Sequence, residues 1–319
     1  MLSLVIPVYN EEENLPILFK EIEKLTEQYP DLEAIFIDDG STDSSFEKLK
    51  SEAQNHTYCK VIRLARNTGQ TAAIQAGVDY ASGDILIFLD SDLQNDPKDI
   101  PNLLAKLDEG YDVVSGWRKD RKDNPIKRNL PSHIANSIIS SVSKVHLHDY
   151  GCTLKAYRKD FIKDVRLYGE MHRFIPIYAA WCGAKITEIP VTHHARRFGK
   201  SSYGLERIFK VLLDLFVIRF LDRYISKPIY VFGGFGLVSF FLSLFTFLWA
   251  LGLKFFGNTS LIQTPLPLFS SIAFLLGGIS VLLGLLAEVL SRTYFASSNK
   301  TAYIARETIN FTSNNNQLK

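Results

Sequence analysis

Two stretches of this 319-residue chain contain no charged side chain, and they lie almost end to end: Ile229 to Leu253 and Phe255 to Ala287. A helix needs about 20 apolar residues to cross the hydrocarbon core of a bilayer, so the first run suffices. The second opens with Gly257, Asn258, Pro265 and Pro267, which predict a turn, and a second helix follows over 266–287. Two buried helices of a large soluble core are the alternative, but such long uncharged runs side by side favour a membrane hairpin. Arg219, Arg223 and Lys227 precede it, and Arg292, Lys300 and Arg306 follow it. The loop from Gly257 to Pro265 has neither Lys nor Arg, so the positive-inside rule places both ends in the cytoplasm.

Ahead of the first run, Phe209, Leu212, Leu213, Phe216 and Phe220 recur at helical spacing, with Arg207, Lys210 and Asp214 on another face. This predicts an amphipathic helix on the membrane surface over 204–227, or a helix packed on the preceding domain. The expected organisation is a catalytic domain over 1–203, this helix, a hairpin over 228–290 and a cytosolic tail over 291–319. The run from Asn310 to Lys319 is polar and Asn-rich, as in disordered tails.

Charge and cysteine usage narrow the rest. Lys+Arg number 36 against Asp+Glu 34, and a net charge of +2 implies no nucleic-acid partner. The mean hydropathy of +0.02 averages a charged first part and an apolar last third. Cys59, Cys152 and Cys182 are widely spaced and odd in number, which fits reduced thiols rather than disulfides or a zinc site. No signal peptide is expected, because Leu2 to Val8 is short and lacks a basic flank.

Residues 1–115 alternate strand and helix signals. Strands are predicted at Leu2 to Val8, Ala34 to Ile37, Val61 to Leu64, Ile85 to Leu89 and Asp112 to Ser115. Helices are predicted at Asn14 to Gln28, Glu47 to Ala53, Thr71 to Tyr80 and Pro97 to Leu107. This βαβα order predicts an α/β fold, a mostly parallel sheet with helices on both faces, whose ligands bind at the carboxyl ends of the strands. No Gly-x-Gly-x-x-Gly or Walker-type loop is present, which removes the main support for dinucleotide and P-loop readings.

Asp90-Ser91-Asp92 follows the apolar run Ile85 to Leu89. If the strand continues, residues two apart share a face and both carboxylates point into one cleft. Two hard oxygens there, with Gln94 continuing the spacing, suit Mg²⁺ or Mn²⁺ on a substrate's phosphates. Alone, Asp-x-Asp is most often a solvated turn. A second acidic pair, Asp38-Asp39, after another strand favours a site.

These segments carry a resemblance. Leu4-Val5-Ile6-Pro7-Val8-Tyr9-Asn10-Glu11, Asp38-Asp39-Gly40-Ser41-Thr42-Asp43, Arg66-Asn67-x-Gly69-Gln70 and Asp90-Ser91-Asp92-Leu93-Gln94 occur in the order seen in family 2 glycosyltransferases of the GT-A (Rossmann-like) fold. Asp149 to Arg158 (DYGCTLKAYR) and Arg196-x-x-Gly199-x-Ser201-x-Tyr203 resemble the bacterial polyprenyl-phosphate glycosyltransferases, including bactoprenol glucosyltransferases and undecaprenyl-phosphate formamido-arabinose transferases. Dolichol-phosphate mannose synthases are more distant. The resemblance runs over about residues 2–306.

It implies a metal-dependent inverting transfer from a UDP-sugar, with glucose or a modified pentose as the sugar, to polyprenyl phosphate at the bacterial inner membrane. It also implies roles at matching positions. Pro7, Tyr9, Glu11, Asn67 and Asp39 would line the nucleotide; Asp90, Asp92 and Gln94 would hold the metal. Arg118 and Arg128 would meet donor phosphates, and Arg196, Ser201 and Tyr203 the acceptor phosphate. Asp149 would orient a group, act as a base or stabilise its turn. Relatives can be tetramers, and Gly233-Gly234-x-Gly236 with Gly277-Gly278 would permit close helix packing in a homo-oligomer. His146, His148, His193 and His194 lack convincing ligand spacing and are expected to pack as ordinary polar residues. A processive polysaccharide synthase would share Asp-x-Asp, but Gln-x-x-Arg-Trp is absent and two spans are too few for a polymer channel. A catalytically inactive membrane scaffold would have no need of intact Asp39, Asp90 and Asp92.

Overall fold

The computed structural model describes residues 1–119, 140, 143, 145–165, 171–195, 229–256, 260–296 and 303–311. Two compact units emerge, one of residues 1–216 with 301–319 and one of 217–300.

The first unit is built on β1 (Leu2–Val8), β2 (Leu32–Asp38), β3 (Cys59–Leu64), β4 (Ile85–Phe88), β5 (Val113–Trp117), β6 (Lys155–Arg158), β7 (Ile186–Pro190) and β8 (Ala305–Ile309). They form one sheet in the order β7-β5-β6-β4-β1-β2-β3-β8. β1 lies between β2 and β4 and is parallel to both, and β2 is parallel to β3. β6 is antiparallel to β4 and to β5, so β5 runs with β4; β7 is parallel to β5. The carboxyl ends of β5, β4, β1, β2 and β3 therefore share one edge, together with the start of β6.

All seven residues of β1 and of β2 are buried, as expected of strands covered on both faces. On one face lie α1 (Leu15–Gln28), α2 (Ser45–Asn55) and α4 (Ile100–Asp108), which bury Leu15, Leu18, Ile22, Phe46, Leu49 and Leu103 against Leu4, Ile6 and Phe36. On the other lie α3 (Gln70–Tyr80) and α5 (Ile175–Trp181), packed on Val5, Ile35, Ile37 and Phe88. Each such side chain contributes roughly 1.5–3 kcal/mol of burial. α3 is rich in Ala and sits close to the sheet: a Cβ at Gly77 would lie 2.3 Å from Val5 Cγ1.

The sequence reading has no strand after the hairpin. β8 nevertheless closes the β3 edge in antiparallel register, Val61 opposite Ile309 and Ile62 opposite Thr308. Around it, Tyr303 donates its hydroxyl to Asp79 Oδ2 at 3.0 Å, and Phe311 packs edge-on against Tyr80 at 5.2 Å. Asn310, at φ 64°, donates its amide to the carbonyls of Ala53, His56 and Cys59.

The second unit holds α6 (Ile229–Phe256) and α7 (Leu266–Ala296), helices long and apolar enough to cross a membrane over Phe232–Phe256 and Leu266–Ala287. Each is longer than the span expected from sequence. Gly236 and Gly277 let them approach: a Cβ on Gly236 would meet Gly277 O at 3.0 Å, and one on Gly277 would meet Phe240 at 2.9 Å. Ser243 donates to Ser270 O at 2.8 Å across the pair. The amphipathic segment over 204–227 lies outside the described residues.

Candidate active site

Four loops at the carboxyl edge are stitched to one another by side chains. Asn10, in the left-handed region at φ 54°, presents its N–H to Ser41 Oγ at 3.0 Å, and its Oδ1 accepts from Thr42 N at 2.8 Å. Glu11 N donates to Ser45 Oγ at 2.9 Å. The loops after β1 and β2 are thereby fixed together. Tyr9 projects above them, 45% exposed, while Pro7 stays buried within β1.

Asp39 is only 4% exposed and ties the β2 loop to the β3 loop. Its Oδ1 accepts from Thr68 N at 2.7 Å and from Thr68 Oγ1 at 2.9 Å; its Oδ2 accepts from Gly69 N at 2.8 Å. Burial raises its pKa despite these donors. Gly40, at φ 69°, lies against the same loop, where a Cβ would be 2.7 Å from Arg66 C and Asn67 N. Asn67 itself is exposed on the rim.

The acid pair is built differently from the strand alternation expected. β4 ends at Phe88, and Asp92 lies in a turn whose Leu93 has φ 58°. Ser91 anchors that turn by donating to Pro7 O at 3.0 Å. Asp92 Oδ1 accepts from Gln94 N at 3.1 Å, and Gln94 O accepts from His194 N at 2.8 Å. Asp90 Oδ1 accepts from Gln70 Nε2 at 2.7 Å, and the Thr153 side chain lies near the same carboxyl. Burial, then the nearby Asp92 charge, push Asp90 up to about 6, against the pull of Thr153, Arg118 and Lys155.

Arg118 follows β5 and forms a two-pronged pair with Asp149: Nε to Oδ2 at 2.7 Å and Nη2 to Oδ1 at 3.0 Å. Burial opposes the guanidinium charge, but Asp149 outweighs it and raises the Arg118 pKa. Asp149 also accepts from Gly151 N at 3.0 Å. Beneath this turn, Lys155 is 2% exposed and donates its ammonium to Tyr150 O at 3.0 Å; burial brings its pKa down to about 8. Thr71 Oγ1 meets His172 Nδ1 at 2.7 Å, which brings the segment Met171–Phe174 beside the start of α3.

The donor set fits a hard divalent cation that shares its ligands with a substrate. Asp90 and Asp92 are close enough for one charge to perturb the other. Among the described residues no group of three His, Cys, Asp or Glu converges to hold an ion alone. Phosphate oxygens and water would complete the shell, as Mg²⁺ and Mn²⁺ favour.

Pro7, Tyr9, Glu11, Asp39, Asn67, Asp90, Asp92, Gln94, Arg118 and Asp149 thus belong to one continuous edge of the sheet. Arg128, Arg196, Ser201 and Tyr203 lie outside the described residues. His194 pairs with Asp96 Oδ2 at 3.1 Å and His148 with Glu188, in line with ordinary polar packing. The sequence reading assigned no role to Gln70, Thr153 or Lys155. A lysine opening a buried strand was the visible signal for the last.

The glycosyl transferase family 2 model matches residues 3–166. The dodecaprenyl-phosphate galacturonate synthase of Rhizobium johnstonii is 42% identical over 96% of this chain and 92% of its own length. The undecaprenyl-phosphate 4-deoxy-4-formamido-L-arabinose transferase of Salmonella choleraesuis is 37% identical over 96% of this chain and 93% of its own. Among solved structures, the glucosyl-3-phosphoglycerate synthase of Mycobacterium tuberculosis with Mn²⁺ and UDP-glucose aligns at TM-score 0.55 and 17% identity, over 69% of this chain and 78% of that one. S. aureus TarS with UDP-GlcNAc aligns at 0.51 and 20%, over 69% and 66%. Those two likenesses show the fold, a GT-A-like mixed α/β sheet. With the family model and the full-length relatives in agreement, the chain belongs to glycosyltransferase family 2, among the bacterial polyprenyl-phosphate sugar transferases.

Proposed function

We propose that the protein moves a sugar from a UDP-sugar to polyprenyl phosphate with inversion, releasing UDP and leaving a polyprenyl-phosphate sugar at the cytoplasmic face of the bacterial inner membrane. The observation that carries this is the Asp90–Asp92 pair on the same sheet edge as Tyr9 and Asp39, in a chain that also has two membrane-length helices. The relatives' names specify polyprenyl-phosphate acceptors, and the titles of the fold neighbours specify UDP-sugars with Mn²⁺.

In this reading the exposed Tyr9 ring and the Asp39 loop receive uracil and ribose. Asp90 and Asp92, with Gln94, hold Mg²⁺ or Mn²⁺, which when bound neutralises charge on the departing diphosphate. Arg118, locked by Asp149, faces the same phosphates with its remaining N–H groups. The acceptor needs little activation, because a phosphate monoester has a second pKa of about 6 and is already largely dianionic at neutral pH. Asp149, engaged by both prongs of Arg118, then acts as a positioning residue rather than a base. Arg196, Ser201 and Tyr203 are assigned to the acceptor phosphate and Arg128 to the donor.

β3 precedes the hairpin and its sheet neighbour β8 follows it. This order supports a hairpin whose two ends emerge on one side of the membrane, in keeping with the cytoplasmic ends expected from the flanking cations.

Incubation of the full-length protein in vesicles with polyprenyl phosphate, Mn²⁺ and labelled UDP-glucose, UDP-galacturonate or UDP-formamido-arabinose tests the reading. Labelled lipid is expected with one donor, and Asp92→Asn should lower its formation by about 100-fold or more while the protein stays folded. Absence of labelled lipid across donors, with folded protein, would remove the reading.

A further inference from the structure

A buried ammonium needs a reason. Lys155 opens β6, in register with Phe88 of β4 and Ser115 of β5, and is 2% exposed. A methionine would fill similar space without the cost of burying a charge, which amounts to several kcal/mol per ion before compensation. What Lys155 gains is the Tyr150 carbonyl at 3.0 Å, inside a turn that does several things at once.

Residues Asp149 to Thr153 connect two parts of the site. At one end Asp149 grips Arg118 through two hydrogen bonds. At the other the Thr153 side chain lies beside Asp90, near enough to favour its charged form. Between them, Cys152 Sγ lies 3.6 Å from Asn95 Oδ1, just beyond Gln94. The turn packs closely on the guanidinium: a Cβ at Gly151 would be 3.1 Å from Arg118 Nη2. Lys155 is the tie across its base. Its ammonium also balances the charges of the cluster. Asp90, Asp92 and Asp149 contribute three negative charges, and Arg118, Arg173 and Lys155 three positive ones.

We propose that Lys155 is a positioning residue for the transfer, its ammonium bracing the Asp149–Thr153 turn so that Arg118 and Asp90 meet the donor diphosphate together. Lys155 touches no substrate in this account; it acts through Asp149 and Thr153. The inference rests on the family 2 reading of the site, deepening it at one residue.

The test compares Lys155→Met, Lys155→Gln and Asp149→Asn in the full-length protein. Three quantities are measured: melting temperature, affinity for UDP with Mn²⁺ by calorimetry, and kcat and KM for the donor. Lys155→Met is expected to stay folded at a lowered melting temperature, and to lose about tenfold or more in UDP–Mn²⁺ affinity and in kcat, as supporting residues of metal sites typically do. Lys155→Gln, which keeps an N–H donor for Tyr150, should recover part of the loss. Lys155→Met combined with Asp149→Asn should cost little more than the larger single effect, because both act through one turn. Wild-type affinity and kcat in a folded Lys155→Met would overturn the proposal, as would strictly additive losses. If Lys155→Met does not fold, a folded Lys155→Gln with unchanged affinity for UDP–Mn²⁺ and additive losses with Asp149→Asn would overturn it equally. UDP–Mn²⁺ binding is read without any acceptor, so failure of the lipid-transfer reading shows separately, as wild-type protein that binds UDP but labels no lipid.

Discussion

Glu33 and Gly40 illustrate how single residues divide stability from function. Glu33 lies at the amino end of β2, away from the site, and is 2% exposed. It accepts from the Ser3 hydroxyl, from Ser82 N at 2.6 Å and from the Lys60 ammonium. Burial alone would raise its pKa, but Lys60, Ser3 and Ser82 together hold it below the ordinary value of 4.5. A carboxyl lowered on folding stabilises the protein above that ordinary value, and the gain fades as pH falls through the folded one. Glu33→Gln should lower stability by about 1–3 kcal/mol at pH 7 and shrink the loss on acidification, as followed by melting temperature against pH. Gly40 tests the site instead. Its φ of 69° and its 2.7 Å approach to the β3 loop leave no room for a Cβ. Gly40→Ala should cost about 1–2 kcal/mol of backbone strain and raise the KM for the donor more than it lowers kcat, by pushing the Asp39 and Asn67 loops apart. At this scale Asp39, Asp90 and Asp92 were visible as candidates because they sit just after apolar runs, and the structure puts all three at the carboxyl edge of the sheet. It did not reveal their partners. Thr68 and Gln70 are 20 residues or more from the carboxyls they serve, Asp39 and Asp90, and only the sheet order brings them near.

The elements from β1 to β5 were legible because each strand carries an apolar stretch such as Leu4-Val5-Ile6 or Ala34 to Ile37, and α1 and α4 repeat their buried leucines and isoleucines at helical spacing. Boundaries moved by a few residues, as at α2, where Ser45 rather than Glu47 begins the helix. β8 was not legible. Ala305–Ile309 is half polar, and its role depends on an open β3 edge more than 240 residues earlier in the chain. Its neighbours make its contribution measurable. Asn310→Ala removes a donor to three carbonyls, including Cys59 O at 2.9 Å, and should lower the stability of the first unit by about 1–3 kcal/mol. Thermal unfolding of the purified protein in detergent checks this; an unchanged transition would mean that β8 is dispensable for the sheet.

At the scale of the whole molecule, the hairpin restricts what the enzyme can act on. On the proposed reading, a polyprenyl chain cannot leave the bilayer, and a membrane hairpin in the same chain would let the enzyme meet the headgroup without extracting the lipid. Topology is open to direct measurement. Cys182 is exposed on the first unit, while Cys59 and Cys152 are buried. A membrane-impermeant maleimide should label Cys182 only after the cells are opened, and should label Gln263→Cys in the loop before α7 in intact spheroplasts. Labelling of Cys182 but not of Gln263→Cys from outside would reverse the orientation, and labelling of both would contradict the hairpin. The chemistry itself is tested most directly by the products of a single transfer reaction with the right donor, resolved by mass spectrometry. The account predicts UDP released in one-to-one ratio with a lipid carrying one phosphate between polyprenol and an inverted sugar. Release of UMP with a lipid diphosphate would contradict it, because the metal-bound diphosphate would then not be the leaving group.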